Sequence, residues 1–190
     1  AEKVILANGA RPFIPPLPGL ETIPYLTNES VLELKEKPQD MIIVGGGYIA
    51  LEYASFLSAF GVKVHVIEMK SRLMGHLEPE LSDLLEEEMR TCCSLYLDTE
   101  VTAVDEERSR VSVQARKNGK RVSLEAEKIF IAAGRTSNAD TLALENTGIE
   151  TDSKGYIKVN SRFETTEPNC WAMGDITGRY MFKHAANVEA

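Results

Sequence analysis

The sequence predicts an α/β protein: a parallel sheet flanked by helices, followed by a three-stranded antiparallel meander. Three observations predict it. A wholly apolar run, Met41-Ile42-Ile43-Val44, meets a glycine turn and then a stretch with helical apolar spacing. A second apolar strand, Lys63 to Glu68, follows within thirty residues, as in a βαβ unit with a right-handed crossover. Three stretches further on alternate apolar and polar residues, which is the pattern of half-buried antiparallel strands.

Taken in order, Lys3 to Ala7 reads as a short buried strand ending at Asn8-Gly9. Arg11 to Gly19, with Pro15-Pro16 and Pro18-Gly19, reads as a stiff linker between two structural units. Asn28 to Leu34 allows a short helix. From Tyr48 to Phe60, Ile49, Tyr53, Phe56, Leu57 and Phe60 recur at helical spacing, and Gly61 suits the helix end. Pro79 opens a second helix with Leu81, Leu84, Leu85 and Met89 on one side. Ser94 to Leu97 gives a third strand. The meander comprises Thr99 to Val104, Arg110 to Arg116 and Arg121 to Ala126, with turns at Asp105-Glu106-Glu107 and Asn118-Gly119. Lys128 to Ala132 is again a fully buried strand. The tail carries a short helix near Leu142 to Asn146, a strand near Tyr156 to Val159 and a last strand from Cys170 to Met173, ending at Gly174-Asp175.

The bulk numbers narrow the function classes. The 190 residues are 43% hydrophobic, ordinary for a globular chain, and the formal charge of −8 with no basic run excludes a nucleic-acid binder. No apolar stretch approaches the length of a membrane span, and Ala1 to Ala7 lacks the build of a signal peptide. A soluble, cytoplasmic protein is expected. The three cysteines, Cys92, Cys93 and Cys170, form no CxxC or CxxxxC pair. Buried, inert thiols are expected, a strained vicinal disulfide at Cys92-Cys93 being the alternative.

Gly45, Gly47 and Ala50 make a GxGxxA pattern, with Glu68 lying 23 residues past Gly45 at the end of the next strand. After a buried strand and before a helix, this pattern points to a Rossmann-like dinucleotide site. Gly45 permits the tight turn, Gly46 and Gly47 let the backbone approach a pyrophosphate, and Ala50 allows close helix packing. The helix N-terminus near Tyr48 would face the phosphates, and Glu68 would accept hydrogen bonds from the adenosine ribose. The same carboxylate favours NAD over NADP. At an effective dielectric of about 20, two like charges ~4 Å apart cost roughly 4 kcal/mol. Lys70 and Arg72 are close enough in sequence to soften that repulsion.

The segment VGGGYIALEYASFLSAFGVKVHVIE (44–68) resembles the NAD(P)-binding domain of the pyridine nucleotide–disulfide oxidoreductases. VILANGARP (4–12) is similar to that family's ATG junction, AAGRTSN (132–138) to its GRxPN segment, and TTEPNCWAMGD (165–175) to its second FAD-contacting segment. GRYMFKHAANVEA (178–190) resembles the run that follows in dihydrolipoamide dehydrogenases and mycothione reductases. Asn8 replaces the usual Thr of the first motif and Ser137 the usual Pro of the second.

The resemblance implies roles residue by residue. Gly45, Gly47, Ile49 and Ala50 line the pyrophosphate turn, Glu68 binds the ribose, Val101 packs near the adenine and Gly134 approaches the nicotinamide half. Tyr48 gates the nicotinamide pocket and Glu52 lies near the flavin. For FAD, Asp175 binds the ribityl chain, with Met181 to His184 beside it and Gly9 at the other crossover. It implies residues 1–20 as a FAD-domain strand and linker, 21–160 as the NAD-binding domain and 161–190 as the FAD-domain return. The family's first GxGxxG, its redox cysteine pair and its dimerisation-domain His–Glu pair have no counterpart among these residues. The expectation is therefore a fragment that needs the rest of the FAD domain and the dimerisation domain of a homodimeric parent. Alone it would bind NAD(H) weakly, bind FAD poorly and reduce no disulfide. An NADH oxidase, coenzyme A-disulfide reductase or ferredoxin reductase parent is the alternative within flavoproteins. A non-catalytic NAD-binding redox module is the alternative outside them.

Overall fold

The computed structural model describes residues 1–190. Its strands are β1 (Val4–Leu6), β2 (Ala10–Pro12), β3 (Asp40–Val44), β4 (Lys63–Ile67), β5 (Ser94–Tyr96), β6 (Thr99–Glu107), β7 (Arg110–Lys117), β8 (Lys120–Ala126), β9 (Lys128–Ile131), β10 (Arg135–Ser137) and β11 (Cys170–Ala172). Three α-helices accompany them: α1 (Tyr48–Ala59), α2 (Pro79–Cys92) and α3 (Lys183–Glu189). Two compact units result, Pro12–Gly134 and the pair Ala1–Arg11 with Arg135–Ala190. These bounds differ from a division at residues 20 and 160, because 12–20 pack with the larger unit and 135–160 with the smaller.

In the larger unit the parallel sheet runs β5-β4-β3-β9, and β6-β7-β8 form the antiparallel meander. Alternation along β3 and β4 builds two cores. Met41, Ile43, Val64 and Val66 face α1 and α2, whereas Ile42, Val44 and Ile67 face Val101, Val104, Val111 and Val113 of the meander. A strand covered on both faces must be apolar throughout, which is why these strands read as continuous runs.

Several local expectations are corrected. α1 presents Ala50, Leu51, Ala54 and Leu57 to the sheet, while Phe56 and Phe60 are 53% and 62% exposed and touch each other. Alanines at 50 and 54 let the helix axis lie close to the strands, and that displaces the larger side chains outward. α2 buries Ser82 and Met89 and leaves Leu81 and Leu84 exposed. The first hairpin turns at Arg108-Ser109, because β6 continues through Glu107 to pair with Arg110. The stiff proline-rich stretch does more than link: its Ile14 and Leu17 pack against the meander-side core, which Leu20 and Ile23 just beyond it join. Cys92 is exposed, and Cys93 and Cys170 are half-buried, so none of the thiols is fully enclosed.

In the smaller unit β1 pairs in parallel with β11, and β2 pairs with β10 in the opposite sense, the Asn138 amide donating to the Gly9 carbonyl and the Phe13 amide to the Gly134 carbonyl. Val4 and Ile5 are exposed, against the expectation of a buried first strand. The expected strand at Tyr156 to Val159 reduces to one bridge between Thr151 and Ile157. Its core is Ala139, Ile157, Ala172 and Ile176. No helix in the chain is long and apolar enough to cross a membrane.

His65 lies on β4 facing the meander side, 9% exposed, and its Nδ1 has no hydrogen-bond partner. Burial, then Lys63, push its pKa below the ordinary 6.5, with Asp40 opposing. The neutral form is therefore favoured by folding. Stability from this site is complete above about pH 6.5 and is lost as pH falls toward and through the lower folded value. Asp40 and Asp140, both held below 3.8, act only in a more acidic window. His65→Phe is expected to flatten the loss of thermal stability between about pH 7 and pH 5. An unchanged slope in melting experiments would refute the assignment.

Candidate functional site

A crevice of about 410 Å³ lies at the carboxyl ends of β3, β4 and β9. The chain proceeds from β3 to β4 and β5 on one side, then returns to place β9 on the other side of β3. That reversal splays the connections leaving β3 and β9, and open α/β sheets bind ligands where this happens. Gly45-Gly46-Gly47 leave β3, Glu68 leaves β4 and Ala132-Ala133-Gly134 leave β9, and all line the crevice.

Gly45 has φ +119, and its amide donates to the Ile67 carbonyl at 2.8 Å. A Cβ there would overlap the Ala132 carbonyl oxygen, so the neighbouring strand end itself demands glycine. Gly47 differs. It caps α1 with ordinary extended angles, φ −84 and ψ 177, and a Cβ would meet nothing within 4 Å. Its lack of a side chain keeps space open at the crevice wall. No side chain caps the N-terminus of α1 and its first turn holds no acidic residue, so the positive end of the helix dipole is not neutralised by its own sequence.

Glu68 is half-buried beside this corner. One carboxylate oxygen accepts the Gly46 amide at 2.6 Å and the other accepts the Lys70 amide at 2.8 Å. Two backbone donors fix the carboxylate's orientation, and each oxygen retains accepting capacity for a further hydroxyl. A side chain at Gly46 would collide with it, a Cβ falling 2.8 Å from Oε2. Lys70 also lines the crevice, whereas Arg72 turns away to pair with Asp83 and to donate to the Pro79 carbonyl at 2.9 Å.

Of the residues singled out by sequence in this unit, Gly45, Gly46, Gly47, Glu68, Val101 and Gly134 line the crevice. Tyr48 and Ile49 are half-buried, Ala50 is fully buried in the helix-side core and Glu52 is exposed, and none of these four lines it. Sequence reasoning missed Pro15, Leu17, Met69, Thr99, Glu100, Ala132 and Ala133. Apolar residues spaced through the prolines at Ile14, Leu17 and Leu20 were the available signal for the first two.

In the smaller unit, Gly9 follows β1 and Asp175 follows β11, so both leave the same ends of two paired parallel strands. Asp175 forms an ion pair with Arg135 at 3.4 Å, and that arginine donates to the Ala10 carbonyl. The Gly9 carbonyl accepts the Asn138 amide at 3.1 Å. Met181 Sδ lies 3.9 Å from the Tyr156 hydroxyl. His184, exposed on α3, stacks on Phe182. The Gly174 amide donates to Glu189 of α3 at 2.6 Å, a contact with no sequence signal.

A model of the pyridine nucleotide-disulphide oxidoreductase family matches residues 1–190. The chain is 34% identical to a mercuric reductase of Staphylococcus aureus, covering 100% of the chain and 35% of that protein. It is 38% identical to a dihydrolipoyl dehydrogenase of Bacillus subtilis, covering 99% of the chain and 40% of the relative. Among solved structures it superposes on the HOCl-induced flavoprotein disulfide reductase RclA of Escherichia coli with a TM-score of 0.90 at 31% identity, covering 98% of the chain and 42% of that structure. The chain thus spans about two-fifths of the length of these relatives.

Proposed function

The chain belongs to the pyridine nucleotide-disulphide oxidoreductase family, and from that premise we propose that the unit Pro12–Gly134 binds NAD(H), in preference to NADP(H), in the crevice at the ends of β3, β4 and β9. One observation carries the reading: the Glu68 carboxylate is held by two backbone amides beside a glycine corner that opens the uncapped end of a helix.

The residues present fit a dinucleotide. The Gly46–Gly47 backbone and the first turn of α1 face the diphosphate with dipole and space. Glu68 accepts the ribose hydroxyls and repels a 2′-phosphate. Val101 supplies an apolar wall for the adenine, and Gly134 offers close backbone approach toward the nicotinamide half. Tyr48 gates the nicotinamide and Glu52, one helical turn on, faces the flavin in the whole protein. Gly9, Asp175, Met181 and His184 belong to a flavin site that the remainder of the parent chain completes. The nicotinamide supplies hydride exchange with that flavin, while these residues position it and exclude competing geometries. The parent is a homodimeric disulfide oxidoreductase of the dihydrolipoamide dehydrogenase kind, and the 190-residue chain reduces no disulfide alone.

Calorimetric titration of the chain tests this. NADH is expected to bind with a dissociation constant near or below about 1 mM, and NADPH at least about tenfold more weakly. Absence of NADH binding, or a preference for NADPH, overturns the reading.

A further inference from the structure

The end of α2 places two thiols side by side on one acceptor. Cys92 is its last residue and Cys93 its C-cap, with extended angles of φ −145 and ψ 164. Both thiols donate to the Met89 carbonyl, Cys92 at 3.4 Å and Cys93 at 3.2 Å. The Cys93 amide donates to the same oxygen at 2.9 Å. The carbonyl that accepts the last helical amide thus also gathers both sulfurs to one side of the chain. Met89 is itself buried in the helix-side core, and Cys93 packs against that core, so the acceptor does not drift with a fraying terminus. Cys92 is exposed, which gives the pair an open approach.

We propose that Cys92 and Cys93 form a dithiol site for monosubstituted trivalent arsenicals. The donor count selects this class. No group of three or more His, Cys, Asp and Glu side chains is placed to hold a metal ion, so an ion that needs a full shell has no cage here. A monosubstituted arsenic atom needs two sulfur donors, its third bond being taken by carbon, and a soft centre of this kind prefers sulfur. Burial, with Cys92 as neighbour, pushes the Cys93 thiol up to about 12, so that thiol remains protonated near neutral pH. Reagents that need a thiolate at Cys93 are thereby disfavoured. An arsenic oxide condenses with thiols: two S–H and the arsenic–oxygen bonds break, two S–As bonds form, and both protons leave on the oxygen as one water. Arsenic stays trivalent, and no oxidant or reductant is required.

The probe is phenylarsine oxide on the fully reduced full-length protein, followed by intact mass spectrometry. The wild type is expected to carry one more phenylarsenic group than either Cys92→Ser or Cys93→Ser. Each of these variants weakens capture at this site by about 100-fold, the loss of a linked second donor. Cys170→Ser keeps the adduct. Excess 2-mercaptoethanol leaves the adduct in place and 2,3-dimercaptopropanol removes it. An unchanged adduct count in Cys92→Ser, an exposed position where serine preserves the fold, overturns the proposal. Stripping of the wild-type adduct by the monothiol does so too.

Discussion

Gly45→Ala is expected to lower unfolding stability by about 3 kcal/mol or more, a large part of the roughly 5–15 kcal/mol typical of a whole domain. The backbone at φ +119 is closed to side-chain-bearing residues, which alone costs about 1–3 kcal/mol. The added methyl would also overlap the Ala132 carbonyl oxygen and crowd the Ala133 nitrogen at 3.3 Å, and backbone atoms cannot rotate away as a flexible side chain would. β3 and β9 would have to separate where they pair from Met41 to Val44. Gly47→Ala is the paired control. Its angles suit alanine and its Cβ enters open space, so stability should change by less than about 1 kcal/mol. NADH affinity should nevertheless fall about tenfold or more, because the methyl occupies the diphosphate's approach. Urea unfolding and NADH titration of both variants give the answer. Equal unfolding midpoints for Gly45→Ala and the wild type would remove the steric argument, and full NADH affinity in Gly47→Ala would remove the binding one.

Glu68→Gln should weaken NADH by about 30-fold, or roughly 2 kcal/mol, the scale of hydrogen bonds to a charged acceptor. Its effect on NADPH should be smaller or reversed. The carboxylate repels a 2′-phosphate by an amount on the order of 4 kcal/mol at ~4 Å, and the amide does not. Lys70, at the crevice, then attracts the phosphate without opposition. Arg72 does not contribute, since Asp83 holds it elsewhere. The preference for NADH over NADPH should therefore shrink by more than NADH affinity alone explains. If the ratio of the two affinities stays at its wild-type value, Glu68 is a structural acceptor for Gly46 and Lys70 and no reader of the ribose.

Local pattern carried much of this molecule. Continuous apolar runs identified β3, β4 and β9 because strands covered on both faces have no polar side to show. Alternation identified the meander because one of its faces meets the parallel sheet and the other meets water. The glycine corner and its distant acid were legible because they bracket a single βαβ unit, where chain length fixes the reach. α3 went unread because its seven residues bury none of their number, leaving no apolar stripe to detect.

What the sequence alone determined was the principal strands and helices of the larger unit, their strand–helix–strand order, the glycine corner with its acid and the family to which they point, all set within a few tens of residues by backbone sterics and apolar periodicity. Tertiary structure decided which face of α1 is buried, that residues 12–20 seal a core, that the Ala132 carbonyl forbids a side chain at Gly45, and that Arg72 turns from the crevice while Lys70 stays. Those outcomes depend on atoms distant along the chain arriving at one place, and no local pattern encodes where a neighbouring strand's carbonyl will stand.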